Sequence, residues 1–403
     1  MNGNHNFIRA LGIAALCIVP AIVFAMTTGL CFPEVPDELN YHFKTISLFA
    51  SQFPLPDISS YPSASGPLPF YVISLWSKLW GLSLPVGRSL SLLASFFALA
   101  LFDWTRRKLF PAGSFPTTII LSFTAYFVMA SVCILSINYV LLAEIALMAL
   151  AIAWLRSPRL STMFGIAVLL VIIAWSRVIS MALALPLLWA VWRMKTGLGQ
   201  KTLGTVLIAI ALGAFLPLYL LWHGFSPPAF HNDYLGYFIN PSQLTLSLCM
   251  VGLYLAPVAL SGIRRWGGMW AYGLFGGVIA LLFPLNPGGN YGPAVRVLGL
   301  LQDIDPALKS VGEFVLGSLG MWTVLALWGN NRETRFLLGA FFAFALALVI
   351  APNAWEHLHY VIWAPLLLLL AGERWVQNWQ RWGSLLITAA FGIAIYYQLY
   401  TGT

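Results

Sequence analysis

Long apolar runs recur from one end of this chain to the other, and they decide the class of fold before any other feature. The first covers Phe7–Leu30, and further runs lie at 86–102, 116–136, 137–155, 161–176, 177–193, 203–222, 243–261, 267–283, 311–328, 335–351, 358–371 and 383–400. A helix needs about 20 apolar residues to cross the hydrocarbon of a bilayer. The runs are continuous rather than alternating, which excludes a β-barrel. The sequence therefore predicts an all-α polytopic membrane protein of about 13 transmembrane helices, with residues 1–403 forming a single domain. The first run is too long for the core of a signal peptide and lacks a small-residue cleavage site, so it reads as a retained helix.

Composition agrees. Of the 403 residues 60% are hydrophobic and only 8% are charged, against about 25% charged in soluble proteins. That excludes a cytosolic enzyme, a secreted disulfide scaffold and a disordered chain. Cys17, Cys31, Cys133 and Cys249 lie in or beside apolar runs without metal or disulfide spacing and read as small hydrophobes. The net charge of +8 points to membrane orientation rather than to nucleic acid.

The basic residues set that orientation. With a cytoplasmic N-terminus and a break at Trp175-Ser176-Arg177, 15 of the 21 Lys and Arg fall on the inner side, among them Arg106, Arg107, Lys108, Arg156, Arg159, Arg193, Lys195 and Lys201. A single helix over 161–193 puts one basic cluster on the wrong side, so the split reading fits the positive-inside rule better. Most acids and histidines then lie outside: Glu34, Asp37, Glu38, Asp57, Asp233, Asp303, Asp305, Glu313 and Glu356, with His42, His223, His231, His357 and His359. The inner loops are too short for a nucleotide fold, and no Walker loop or GxGxxG follows a strand. An activated substrate must therefore come from the membrane itself.

The longest polar stretch, 31–85, is the first outer loop. Pro36 suits the first position of a helix, which puts Asp37 and Glu38 in its first turn. There free N–H groups and the helix dipole favour ionised carboxylates and predict lowered pKa values. Phe43, Ile46, Ala50 and Phe53 then recur at helical spacing opposite Asn40, Lys44, Ser47 and Ser51, as in an interfacial amphipathic helix. A second short helix is expected at about Phe70–Trp80. Glu38 and His42, four apart, share a face. The acid pair is either helix capping or a catalytic group at the rim of the bilayer.

The ordered set Asp37-Glu38, His42, Asp57-Ile58, Gly66-Pro67-Leu68-Pro69-Phe70-Tyr71 and Arg88-Ser89-Leu90-Ser91 resembles glycosyltransferases of the GT-C fold that use polyprenyl-phosphate sugars. Within that class it is most similar to the dolichyl-phosphate-glucose α-1,2-glucosyltransferase family, and Asn353 through His359-Tyr360 resembles that family's late segment. The resemblance implies a GT-C-like bundle with interfacial helices in the first outer loop. It also implies transfer of a hexose from a polyprenyl phosphate, undecaprenyl phosphate in a bacterium, to an acceptor hydroxyl of a glycan or lipid-linked glycan. The lipid-phosphate sugar is a substrate, and no cofactor is expected. The partners are that donor, the acceptor and membrane lipids, with no nucleic acid.

Such a transfer needs a base to take the acceptor proton and donors to stabilise the departing phosphate. Asp37 is the first base candidate and Glu38 the second. Direct attack would invert the anomeric centre. His42, Asp57, Arg177, Arg296, His357, His359 and Tyr360 are the candidates for holding donor or acceptor. Arg177 interrupts an apolar stretch, so it is either a functional cation or a snorkelling one. Arg296 lies in the outer loop at 284–310, whose Asn286–Gly292 is Gly-rich; those glycines suit either a phosphate nest or ordinary turns. A helix starting near His357 turns His357 and His359 apart, so no metal site is expected. Glu144, in mid-span, is either a hydrogen-bonded group of the bundle or part of a proton path.

Two other classes compete. A transporter or lipid-glycan flippase would show matched halves and ionisable groups at the midplane. A glycan polymerase or ligase would carry a longer Arg-containing outer loop late in the chain. No Asn-x-Ser/Thr acceptor occurs, which favours a bacterial inner membrane with a periplasmic active face over the endoplasmic reticulum.

Overall fold

The structure is a computed structural model of the whole chain. It describes residues 2–32, 35–110, 116–231, 239–265, 270–285, 292–329, 331–350, 356–372, 376 and 378–401. Among these, every regular element is a helix. Five helices are long and apolar enough to cross a membrane: Asn6–Thr28, Leu84–Leu109, Ile137–Arg156, Leu198–Trp222 and Trp379–Thr401. The protein is therefore an all-α polytopic membrane protein. Most of the other apolar runs form shorter or interrupted helices, while the run at 311–328 lies almost wholly on the uninterrupted helix Pro306–Ala326. The run at 116–136 breaks at Thr124, and the one at 243–261 breaks at Leu255.

The chain divides into two compact units. The first comprises Met1–Lys108, Phe127–Leu235 and Ile393–Thr403. Helix α1 (Asn2–Thr28) ends where Gly29 and Leu30 take positive φ, and the Leu30 N–H donates to the Ala25 carbonyl at 3.1 Å. Pro36 opens the next helical segment, as its fixed φ favours. That segment runs as a π-helix over Glu38–Phe43 and continues as α2 (Lys44–Ser51). Ile46, Phe49 and Ala50 are buried while Asn40, Lys44 and Ser51 are exposed. This is the polarity that the spacing predicts.

Ile46 and Phe49 enter a core with Tyr61, Phe70, Ile73, Ile134, Phe215 and Trp222. Burying one such side chain stabilises by about 1.5–3 kcal/mol where the alternative is water. The Trp222 indole donates to the Ile58 carbonyl at 2.8 Å, so the limb that leads back toward α3 (Pro67–Trp80) is also held by a directed bond. The chain re-enters through α3 and α4 (Leu84–Leu109). After α5 (Pro116–Phe123) and α6 (Ala125–Val132), α7 (Ile137–Arg156) and α8 (Leu160–Ser176) form an antiparallel pair.

Helix α8 stops at Ser176. Arg177 is extended (φ −160°, ψ 116°), and a 3₁₀ turn over Val178–Leu183 leads into α9 (Ala184–Arg193). One contact accounts for the break. The Gly66 N–H donates to the Ser176 carbonyl at 2.9 Å, and a Cβ on Gly66 would lie 2.1 Å from the Trp175 carbonyl oxygen. Only glycine permits that approach. Helices α10 (Leu198–Gly213) and α11 (Leu216–Trp222) complete the described helices of this unit's middle segment.

The second unit comprises Leu109–Tyr126 and Gly236–Gly392. It holds α12 (Ser242–Tyr254), α13 (Ala256–Arg265), α14 (Trp270–Leu282), α15 (Pro293–Ile304), α16 (Pro306–Ala326), α17 (Arg332–Leu348) and α18 (Trp363–Gly372), with most of α19 (Asn378–Thr401). Helices α12 and α16 touch backbone to backbone. A Cβ on Gly252 or Gly320 would stand 2.0 Å from the carbonyl oxygen of Leu316 or Leu248, the close approach that small residues allow between apolar helices.

The stretch at 284–310 corrects one expectation. It is helical from Pro293 rather than an open loop. Gly292 (φ 142°) turns the chain, Pro293 starts α15, and the Asp305 carboxylate caps α16 by accepting the Ala307 N–H at 2.7 Å. Its Gly and Pro residues read as turn chemistry and masked an amphipathic helix with Ala294, Val295 and Leu298 buried.

Candidate functional site: the segment after the first helix and the break at Arg177

The two adjacent acids are put to different uses. Glu38 is fully buried and grips the equally buried Arg88 with both oxygens. Arg88 Nε donates to Oε1 at 2.9 Å and Nη2 to Oε2 at 2.5 Å, while the Ile134 N–H donates to Oε1 at 2.7 Å. Arg88 Nη1 donates to the carbonyls of Leu30 (2.8 Å) and Phe32 (3.3 Å), and its guanidinium lies 3.7 Å from the Phe32 ring centroid. This pair knots together the end of α1, the π-helix, the start of α4 and the turn before α7. Breaking such a pair from one side costs about 3–5 kcal/mol. A carboxylate so enclosed and paired is closed to solvent, so Glu38 serves the architecture in this structure.

Asp37 is exposed and makes no side-chain cap bond. The expectation of a lowered pKa is corrected here. Although the residue as a whole is exposed, partial burial of its carboxyl group raises its pKa above the ordinary carboxylate value, an effect that outweighs the favourable field of a helix start. Asp37 therefore binds a proton more readily than a free aspartate, as a general base must.

His42 lies five residues further along the same helical segment. Its ring packs 5.3 Å from that of Phe70, and its Nδ1 is buried without a hydrogen-bond partner among the described residues. Burial first, and the positive charge of Arg177 second, lower its pKa to about 3, so the ring is neutral. Arg177, half-buried at the break after α8, also acts electrostatically on Glu144 of α7. Glu144 is fully buried and accepts the Ser180 hydroxyl at 2.5 Å through Oε1, while its Oε2 has no hydrogen-bond partner among the described residues. The segment around His42, the break at Arg177 and the middle of α7 are thus linked electrostatically through Arg177. Together they contain a basic side chain and two buried polar atoms without partners among the described residues.

The other expected residues lie apart from this constellation or have different partners. Asp57 is exposed; hydrogen bonding from the Ser59 side chain first, and from the Ser59 N–H at 2.8 Å second, lowers its pKa and closes a local turn. Arg296 lies on the exposed side of α15, in the second unit. His359, also in the second unit, is fully buried between two partners on α12. Its Nε2–H donates to Gln243 Oε1 and its Nδ1 accepts the Ser247 hydroxyl, each at 2.8 Å. Both ring nitrogens are occupied by protein, which leaves none for a phosphate or sugar in this arrangement. Tyr360 is buried beside it in the same 3₁₀ turn, Glu356–Ile362. The backbone of His357 belongs to that turn; its side chain lies outside the described residues, as do Glu34, Asp233, Asn353 and the Gly-rich 286–291.

Sequence reasoning missed three contributors. Ser180 carries no signal beyond being a polar residue in an apolar run. Gly66 stood only among the residues that carry the family resemblance. Arg88 stood out as a cation near the outer side, but nothing in the sequence paired it with Glu38. Among the described residues no group of three or more His, Cys, Asp and Glu side chains is arranged to hold a metal ion.

No family model matches the chain, and no curated protein matches it. Among solved structures the chain is similar to ArnT from Cupriavidus metallidurans bound to undecaprenyl phosphate, with 16% identity, a TM-score of 0.41, and coverage of 96% of this chain and 76% of that one. A likeness at that level carries no argument about activity, so the case for a function rests on this chain's own side chains.

Proposed function

We propose that the protein is a glycosyltransferase of the GT-C type. It moves a hexose from a polyprenyl-phosphate carrier to an acceptor hydroxyl on the non-cytoplasmic face, with Asp37 as general base. The observation that carries this reading is the division of labour at the acid pair: one carboxylate is locked to Arg88, while its neighbour is exposed, makes no side-chain cap bond and is raised in pKa. Helix capping alone calls for no such raised carboxyl.

The chemistry follows from these positions. Asp37 takes the proton of the acceptor hydroxyl as its oxygen attacks the anomeric carbon. The new glycosidic bond forms on the face opposite the breaking bond to the carrier phosphate, so the centre inverts. The polyprenyl phosphate leaves with the electron pair, and Arg177 answers its charge. The neutral His42 offers its ring to the same phosphate or to a sugar hydroxyl. In this reading Glu144, held by Ser180, positions Arg177 from behind. The sequence resemblance names glucose as the nearest analogy for the sugar, and the absence of glycosylation acceptors favours a bacterial inner membrane and a periplasmic acceptor.

The test is reconstitution of the full chain with undecaprenyl-phosphate hexoses, guided by mass analysis of surface glycans from cells with and without the protein. The expected result is one missing sugar in cells lacking the protein. Asp37→Asn should abolish transfer while insertion and donor binding persist. Near-normal turnover by that variant would remove Asp37 from the role of base.

A further inference from the structure

The opposite end of the first unit carries a feature that glycosyl transfer does not use. There α7 ends, α8 begins, α9 ends and α10 begins, joined by the short turns 157–159 and 194–197. Arg156, Arg159, Arg193, Lys195 and Lys201 stand on or beside these turns. Between Glu144 and Asp233 the chain has no Asp or Glu, so nothing within this stretch balances that charge. The only acid of α4, Asp103, is buried against Arg106 and Arg107, with bonds of 2.6–2.9 Å. Arg156 Nη1 donates to the Lys108 carbonyl at 2.9 Å, which ties the end of α4 to the same basic surface.

A shallow, open cleft lies here between the starts of α8 and α10. Buried Trp154, Met163 and Gly204 line it, with exposed Arg159 and Gln200 as its polar residues. Neither helix start has a side-chain cap, so N–H groups of both first turns are left without one. From the cleft, two rows of exposed apolar side chains continue along the packed helices. Leu160, Phe164 and Val168 follow one another at successive turns of α8, and Leu203, Val206 and Ile210 do so on α10. A polar mouth of one charge sign thus continues into an apolar lane on the lipid-facing side.

We propose that this cleft binds an acidic phospholipid of the leaflet at the basic end. The phosphodiester sits at Arg159 and the uncapped helix starts, and an acyl chain lies along the apolar rows. A zwitterionic lipid supplies the same chain but no net negative charge to answer the basic cluster. Basic residues at a membrane surface favour anionic lipids for this reason.

Native mass spectrometry of the purified full chain with phosphatidylglycerol or phosphatidylcholine tests the assignment. The wild type should retain phosphatidylglycerol preferentially. Arg159→Gln should weaken that retention about fivefold, the effect of one basic group at an anionic surface. Leu203→Trp fills the cleft with the charge intact and should weaken retention as well. Excess inorganic phosphate should not displace the lipid, since it lacks the chain. Equal retention of the two lipids, wild-type retention by Leu203→Trp, or displacement by phosphate overturns the proposal. If Arg159→Gln does not fold, Leu203→Trp decides.

Discussion

His42 in the first unit and His359 in the second are both enclosed by protein, yet only one has its hydrogen bonds made. His359 sits between Gln243 and Ser247 with both nitrogens engaged. His42 has Phe70 beside it, Arg177 acting on it, and a buried Nδ1 without a partner among the described residues. A buried polar atom left unbonded costs roughly 1–3 kcal/mol, and such a cost is tolerated mainly where something else makes the bond. The difference separates a histidine that holds helices together from one that stands ready for a ligand. Glu38 and Asp37 repeat the same contrast one residue apart.

The sharpest way to break this comparison is at the acid pair. Asp37→Asn should lower turnover by about 10²–10⁴-fold, the usual contribution of one positioned base, with thermal stability unchanged; a glycosyl-transfer assay beside a melting curve reads both. Glu38→Ala should do the reverse in kind. It leaves Arg88 buried and unanswered, and we expect about 3–5 kcal/mol of destabilisation, seen as a large drop in melting temperature or lost yield of folded protein. Stability equal to the wild type would show that the buried pair does not hold the first unit together.

The histidines give a smaller effect. His359→Leu should cost about 1–3 kcal/mol by stranding Gln243 and Ser247, whereas His42→Leu should leave stability nearly unchanged and raise KM for the donor. Equal losses of stability would erase the distinction.

The mildest effects are in pH. Because the Asp37 carboxyl is raised, turnover should fall on acidification at a pH above the ordinary aspartate range, as the base becomes protonated. For His42 the sign follows from its pKa, about 3 in the fold against 6.5 for the free side chain. The unfolded chain binds the extra proton first, so this residue's contribution is intact above pH 6.5 and is lost as pH falls toward 3. His42→Gln should flatten the acid limb of stability, which melting curves between pH 4 and 7 will detect.

Local features of the fold were legible in the sequence. Pro36 at a helix start and the buried face of Ile46 and Ala50 follow from neighbouring residues, the interruption at Ser176 from the distribution of basic residues, and the structure has all three. What could not be read was long-range. Arg88 lies fifty residues from Glu38, and the Ile134 amide that completes the site lies ninety-six away. No periodicity encodes such a meeting. The pKa of Asp37 failed for a related reason: the helix start is local, but the groups that strip water from the carboxyl come from the folded environment. Helix α15 was missed because Gly292, Pro293 and Pro306 mark its borders so strongly that its amphipathic interior was hidden.

The glycine at position 66 has a mechanical consequence. With no room for even a methyl group between it and the Trp175 carbonyl, the limb that returns from the first extramembrane segment is riveted to the strand-like joint bearing Arg177. A displacement of either is felt by the other, so any ligand that tugs on that cation would also move the segment ahead of α3.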